Sequence, residues 1–185
     1  MLRLSWVFLG QSLYEEGKYR ETAIAYRKAF ALRSDDLELM NDLGFSLFRA
    51  GNYPEAESLL RRSLELREHR YHPNDPSVAI GLNNVAMLLH AQGKYAKAES
   101  LFRRALDISE AQLGPDHPDF ATLLNNLAGL LRDQGKYAEA EPLFRRALEI
   151  YEAQLGPEHT STEIMRNNLE GLLEEKKSSE NKKNN

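Results

Sequence analysis

Cysteine is absent from all 185 residues. That excludes disulfides, thiol nucleophiles and thiolate metal sites, and the expected location is the reducing cytoplasm. Neither sign of charge dominates: 24 basic against 28 acidic residues leave a net charge of −4 and a pI near 5.8. Such a chain has no general attraction to nucleic acid or to an anionic membrane, so neither is expected as a partner. No apolar run approaches the ~20 residues of a membrane span. Trp6-Val7-Phe8-Leu9 is too short for a signal peptide and has no small-residue cleavage site after it. His-Glu-x-x-His, a phosphate loop and a nucleophile elbow are all missing, so no enzyme activity, metal or cofactor is expected.

What the sequence does contain is a repeat. Asn83-Asn84-Val85-Ala86-Met87-Leu88-Leu89 returns as Asn125-Asn126-Leu127-Ala128-Gly129-Leu130-Leu131 and again as Asn167-Asn168-Leu169-Glu170-Gly171-Leu172-Leu173, at a constant step of 42. Gly-x-Tyr occurs at Gly17, Gly51, Gly93 and Gly135, and basic pairs begin at Arg27, Arg61, Arg103 and Arg145, both with steps of 34, 42 and 42. Residues 73–114 and 115–156 agree at roughly two-thirds of positions, and such a period marks a stacked array of one supersecondary unit. An array of this kind leaves a long surface free, most often for another protein.

Each unit reads as two amphipathic helices. Val78, Leu82, Val85, Ala86 and Leu89 follow the i, i+3, i+4, i+7 spacing of one helical face, and so do Ala98, Leu101, Phe102, Ala105, Leu106 and Ile108 in the next helix. Gly93 suits the left-handed residue of a tight C-cap between them. Pro54, Pro76 and Pro118 fit first helical turns, whereas Pro142 falls about one turn inside its helix. The expected units span approximately 3–34, 37–72, 76–114 and 118–156, with a lone helix at 160–175. Arg166 and Glu170 replace the apolar or small residues of earlier units there, as a solvating cap requires. The polar tail 176–185 is expected to be disordered.

These landmarks resemble the tetratricopeptide repeat family. The first unit has Trp6, Leu9-Gly10, Gly17-Lys18-Tyr19, Tyr26 and Ala29, and the later units have Leu43-Gly44, Ala56, Ala98, Phe102, Ala105, Ala140, Phe144 and Ala147. Thr22 and Ser63 depart from the usual Ala. The 42-residue spacing, the Leu-Asn-Asn-Leu/Val-Ala segment and the Leu-Gly-Pro linkers at Leu113 and Leu155 are similar to the kinesin-light-chain type of this repeat. The resemblance implies an all-α fold: a right-handed superhelical solenoid of antiparallel helix pairs, four units plus a C-terminal capping helix. It also implies a protein or peptide partner, held in a concave groove lined by the first helix of each unit.

On that surface two ladders of polar residues stand side by side: Asn41, Asn83, Asn125 and Asn167, then Asp42, Asn84, Asn126 and Asn168. Asn is a poor residue for a helix interior, so its recurrence needs a cause. Either it hydrogen-bonds an extended peptide backbone or it bridges neighbouring helices, and the two ladders are expected to divide these jobs. Phe45, Phe48, Arg49, Met87, His90 and Arg132 are variable positions suited to specificity. The candidate peptide-binding set is therefore Asn41, Phe45, Phe48, Arg49, Asn83, Asn84, Met87, His90, Asn125, Asn126, Arg132 and Asn167. Gly129 and Gly171 are consistent with close backbone approach.

The basic pairs have neutralising partners in Glu57→Arg61, Glu99→Arg103 and Glu141→Arg145, with Arg61→Glu65, Arg103→Asp107 and Arg145→Glu149 continuing the series. His117 and His159 repeat within the linkers and suit turn fixing. The leading functional expectation is an interaction scaffold or adaptor. The alternative is a structural element that self-associates, weakly, through the uncapped apolar end at Trp6, Val7 and Phe8.

Overall fold

A computed structural model describes residues 2–183. Among them there is no strand, only helices: α1 Leu2–Glu15, α2 Tyr19–Ala31, α3 Leu37–Arg49, α4 Tyr53–Arg70, α5 Pro76–Ala91, α6 Tyr95–Leu113, α7 Pro118–Asp133, α8 Tyr137–Leu155 and α9 Thr160–Lys183. The fold is an all-α helical repeat.

One turn is used four times. Gly17, Gly51, Gly93 and Gly135 have φ of +73°, +82°, +72° and +73°, a conformation that costs L side chains energy and glycine none. The following N–H reaches back five residues in each case, as in Lys94 N to Leu89 O and Lys136 N to Leu131 O, both 2.9 Å. This closes a Schellman motif, and the next residue, always tyrosine, begins the second helix. At the other ends, His117 is the N-cap of α7, its Nδ1 accepting the Asp119 N–H at 3.1 Å. His159 Nδ1 accepts the Ser161 N–H at the same distance. Both linker histidines therefore fix turns.

The chain divides into two compact units, Met1–Leu88 and Leu89–Asn185, where a single array over 1–175 is the expectation from sequence. A repeat array touches only its neighbours in sequence, so it has no one centre that all helices share. In the first unit α1 packs on α2, α2 on α3 and α3 on α4. Close approach is set by glycine: a Cβ on Gly10 would collide with the Tyr26 ring, and one on Gly44 would stand 2.9 Å from Leu60 Cγ. In the second unit Phe120, Ala121, Leu124, Ala147, Ile150, Tyr151 and Met165 form one buried cluster joining α7, α8 and α9.

Two expectations need correction here. Helix α9 continues through residues 176–183 instead of ending at 175. Neither Gly nor Pro follows Gly171, and Lys176 Nζ pairs with Glu141 at 2.9 Å, so nothing in the stretch stops the helix. Residues 184–185 of the expected tail lie outside the described residues. Gly129 and Gly171 show no close approach, because a Cβ at either would meet nothing within 4 Å. The cap itself behaves as its composition requires: Thr162, Met165, Leu169 and Leu172 are buried while Glu170 is exposed.

On the outer faces, Arg61, Arg103 and Arg145 pair with Glu57, Glu99 and Glu141 at 2.9, 2.8 and 2.8 Å. The continuation differs from the expected one. Glu65 and Glu149 are held by the second arginines, Arg62 and Arg146.

Candidate peptide-binding faces

In the first unit the Asn ladders do not divide their jobs. They bond to each other. Asn84 Nδ2 donates to Asn41 Oδ1 at 2.9 Å, and Asn83 Nδ2 donates to Asn84 Oδ1 at 3.2 Å and approaches Met87 Sδ at 3.7 Å. Asn41 and Asn84 are buried. The Asn41 side chain in turn hydrogen-bonds the Asp42 carboxylate. The amides thus run donor to acceptor along one line that ends on a group able only to accept when ionised. The second unit repeats the central link, Asn168 Nδ2 to Asn125 Oδ1 at 2.9 Å. Bridging neighbouring first helices is therefore the work of these four residues. Asn126 is half-buried and Asn167 exposed.

Beside the amides in the first unit lies a run of rings that the sequence locates only in part. Tyr19 and Tyr14 meet edge to face at 5.3 Å, and Tyr14–Phe45, Phe45–Phe48 and Phe48–Tyr53 follow at 6.3, 5.7 and 6.0 Å. Tyr14, Phe45 and Phe48 are half-buried, so their apolar surface is only partly satisfied by the fold. Tyr19 and Tyr53 belong to the Gly-x-Tyr motif, which is legible as a turn marker and not as part of a surface. Arg49 is engaged: its guanidinium lies 4.4 Å from the Tyr19 ring centroid and donates to Tyr19 Oη at 2.5 Å.

Tyr14, Tyr26, Asp42, Phe45 and Ser46 line a partly open cavity of about 240 Å³. Burial, with repulsion from Glu38 adding to it, pushes the Asp42 carboxyl up from 3.8 to about 6. Burial likewise raises Tyr14, and pushes Tyr26 up to about 12, with the Asp42 charge contributing to both. Three acidic or phenolic groups therefore share a space in which negative charge is poorly solvated.

A second charged feature is not apparent from the sequence pattern. Arg67 is fully buried, an uncommon state for this side chain. Its three nitrogens donate to Ser63 Oγ at 3.3 Å, Ser77 O at 3.3 Å and Glu38 Oε2 at 2.8 Å. The equivalent positions 42 and 84 residues on are Ser109 and Tyr151, and in the second unit Tyr151 Oη meets Thr122 Oγ1 at 2.7 Å. The equivalent position 34 residues earlier is Arg33, so the charge at this site is confined to the first two repeats.

In the second unit His90 Nε2 lies 2.8 Å from Asp133 Oδ2 and its ring 5.8 Å from Tyr95. Arg132 Nε faces Asp133 at 3.5 Å and Glu175 at 4.0 Å. The Arg132 charge is thus already countered by Asp133 and Glu175. Among the described residues no group of three or more His, Asp or Glu could hold a metal ion, and no helix is long and apolar enough to cross a membrane.

The tetratricopeptide repeat family profile matches residues 35–111, 77–153 and 119–180. No curated protein matches the chain. Among solved structures it is similar to BtubC (BKLC) from P. vanneervenii, at 22% identity and a TM-score of 0.73, over 90% of this chain and 69% of that one. It is also similar to the kinesin-light-chain-type array of nearly identical TPR-like repeats from Podosopora anserina, and to a point variant of that array. Those two align at 20% and 19% identity with TM-scores of 0.70 and 0.71, each over 97% of this chain and 95% of the other. At such identities the likeness establishes the shared helical-repeat fold. With the profile spanning most of its length, the chain belongs to the tetratricopeptide repeat family.

Proposed function

We propose that the chain is a non-enzymatic adaptor whose first-helix faces hold a short segment of a partner protein. Tetratricopeptide repeats generally mediate protein–protein interaction, and the half-buried ring run Tyr14–Phe45–Phe48 carries the more specific reading. Partly covered aromatic surface gains from burial by a ligand, and rings lose little conformational entropy in providing it. In the first unit Phe45, Phe48 and Met87 are the apolar anchors, with Asn83 and Arg49 beside them. In the second, His90, Asn126, Arg132 and Asn167 form a more polar face. Asn41, Asn84 and Asn125 support these faces from behind through their mutual bonds.

A peptide array probed with wild type and with Phe45→Ala/Phe48→Ala tests this reading. Capture by wild type that the double variant loses is the expected result. Equal capture by both removes the first-unit face as a binding surface.

One observation favours self-association as a second reading. On α1, Leu2, Leu4, Phe8 and Leu9 are 68%, 51%, 67% and 44% exposed, a concentration of apolar surface of the kind found at interfaces. Trp6 and Val7 are half-buried, and Lys28 Nζ covers the Trp6 ring at 4.2 Å. Light scattering over a concentration series decides it: a monomer throughout removes this reading, and a Phe8→Ser-sensitive dimer supports it.

A further inference from the structure

The cavity beneath the ring run has a chemistry of its own. It is lined by the aromatic residues Tyr14, Tyr26 and Phe45 and by two polar residues, Asp42 and Ser46. Ser46 Oγ is already committed, donating to Asp42 O at 2.7 Å. Among the described residues no cationic side chain stands within ion-pair distance of the Asp42 carboxylate. Of the charges around it, Glu38 and Asp36 repel it and Arg67 attracts it, and the Glu38 effect is the larger. Arg49, the other cation on this face, is held over Tyr19 and hydrogen-bonds the Tyr14 hydroxyl at the cavity wall, outside ion-pair distance of Asp42. A poorly solvated carboxylate beside aromatic faces is complementary to one kind of ligand. That ligand is an organic cation with an apolar stem, attracted by ring quadrupoles on one side and by full charge on the other.

The size decides which cation. About 240 Å³ is below the roughly 300–1,000 Å³ of sites that enclose a whole small molecule, but it suits a single side chain. Lysine provides a compact ammonium on a flexible four-carbon stem, whereas the planar guanidinium of arginine needs a bidentate partner, and Asp42 shares its carboxylate with Asn41. We infer that the Tyr14–Tyr26–Phe45–Asp42 cavity is a receptor for a lysine side chain, unmodified or methylated, of the partner segment. This rests on the peptide-binding reading of the same face and adds a required cationic anchor to it.

The test uses two substitutions that the other repeats already contain. Asp42→Asn installs the residue found at Asn84, Asn126 and Asn168, and Phe45→Met installs the residue found at Met87. Each variant thus carries a residue that this repeat position already accepts, and far-UV circular dichroism checks the fold of both. The probes are Nα-acetyl-lysine methylamide, its Nε-trimethyl form and the uncharged Nα-acetyl-norleucine methylamide. Each is titrated into the full chain at pH 8 with NMR detection of the tyrosine and phenylalanine ring signals.

The expected result is that both lysine probes shift the Tyr14, Tyr26 and Phe45 rings and norleucine does not. Asp42→Asn weakens both lysine probes by about fivefold or more, and Phe45→Met weakens the trimethyl probe more than the unmodified one. Equal shifts with norleucine, or lysine binding that Asp42→Asn leaves unchanged, overturns the inference. The parent reading is scored separately, on any array-captured peptide resynthesised with norleucine for lysine. Undiminished affinity overturns the lysine receptor and leaves the adaptor standing. Lysine shifts with no peptide captured anywhere would overturn the adaptor alone.

Discussion

Asn84 donates to Asn41 at 2.9 Å, and the same bond recurs between Asn168 and Asn125 at the same distance. Each joins the second Asn of one repeat to the first Asn of the repeat before it, which is why the pattern is strict where a ligand would not require it. Removing one partner leaves the other amide unsatisfied in a buried position. Asn84→Ala should therefore cost about 1–3 kcal/mol, read from the urea midpoint. Its effect on peptide capture should be no larger than its effect on stability. A neutral Asn84→Ala would show that the bond contributes nothing.

Asp42 sets a pH dependence. Its carboxyl is raised on folding, so the folded chain binds the proton more tightly than the unfolded one. The stability this supplies is fully present below the unfolded value of 3.8 and is lost as pH rises through about 6. Asp42→Asn should accordingly stabilise the chain above pH 6, by about 2 kcal/mol. The difference from wild type should shrink toward zero near pH 4. Thermal melts of both proteins from pH 4 to pH 8 measure it, and parallel curves across that range would contradict the assignment.

Arg67 and Glu38 form an asymmetric pair, the guanidinium wholly buried and the carboxylate side chain 67% exposed. Losing the exposed partner should still matter, because the buried charge keeps only Ser63 and the Ser77 carbonyl. Glu38→Gln is expected to destabilise by about 1 kcal/mol, whereas Arg67→Ala, which also opens a cavity, should cost about 3 kcal/mol. Arg67→Met, filling the space without the charge, should recover most of that loss. Denaturant unfolding of the three variants gives the order, and Arg67→Met falling as low as Arg67→Ala would refute it.

The helices are legible in the sequence because every landmark repeats. Gly93 marks a turn that the backbone closes with a positive φ, and Ala98, Phe102 and Ala105 mark a face that is fully buried. The site is legible only in part. Residues 41 and 84 stand out as special, but nothing in a one-dimensional pattern shows that a residue bonds to another 43 positions away instead of to a ligand. Tyr14 and Tyr26 are invisible as cavity walls for a related reason. They come from the two helices of the shorter first unit and meet Asp42 and Phe45 only after α1, α2 and α3 pack. Helix α9 outruns its expected end because a polar composition reads as disorder, whereas Lys176 is anchored on Glu141 across to α8.

The expected salt response of peptide binding is shallow. Arg132 is countered by Asp133 and Glu175, and Arg49, whose partners among the described residues are tyrosines, has its guanidinium held against the Tyr19 ring, so at most one of these cations is available to an acidic ligand. Affinity for an array-captured peptide should fall only a few-fold between low and physiological salt, as for one or two screened contacts. A loss of two orders of magnitude would mean that long-range charge dominates this surface.

Four glycines on first helices separate packing from vacancy. Gly10 and Gly44 lie against Tyr26 and Leu60, where a methyl group has no room, while Gly129 and Gly171 face open space. None of the four has a positive φ, so alanine is conformationally allowed at all of them and only the surroundings differ. Glycine inside a helix costs about 1 kcal/mol relative to alanine. Gly129→Ala and Gly171→Ala should each therefore stabilise by about 0.5–1 kcal/mol. Gly10→Ala should destabilise by about 1–3 kcal/mol as the overpacked Tyr26 ring is displaced, and Gly44→Ala similarly against Leu60. Differential scanning calorimetry on the four variants provides the comparison. If Gly129→Ala raises the melting temperature yet weakens capture of a peptide bound by wild type, the open space at this position is used by the ligand.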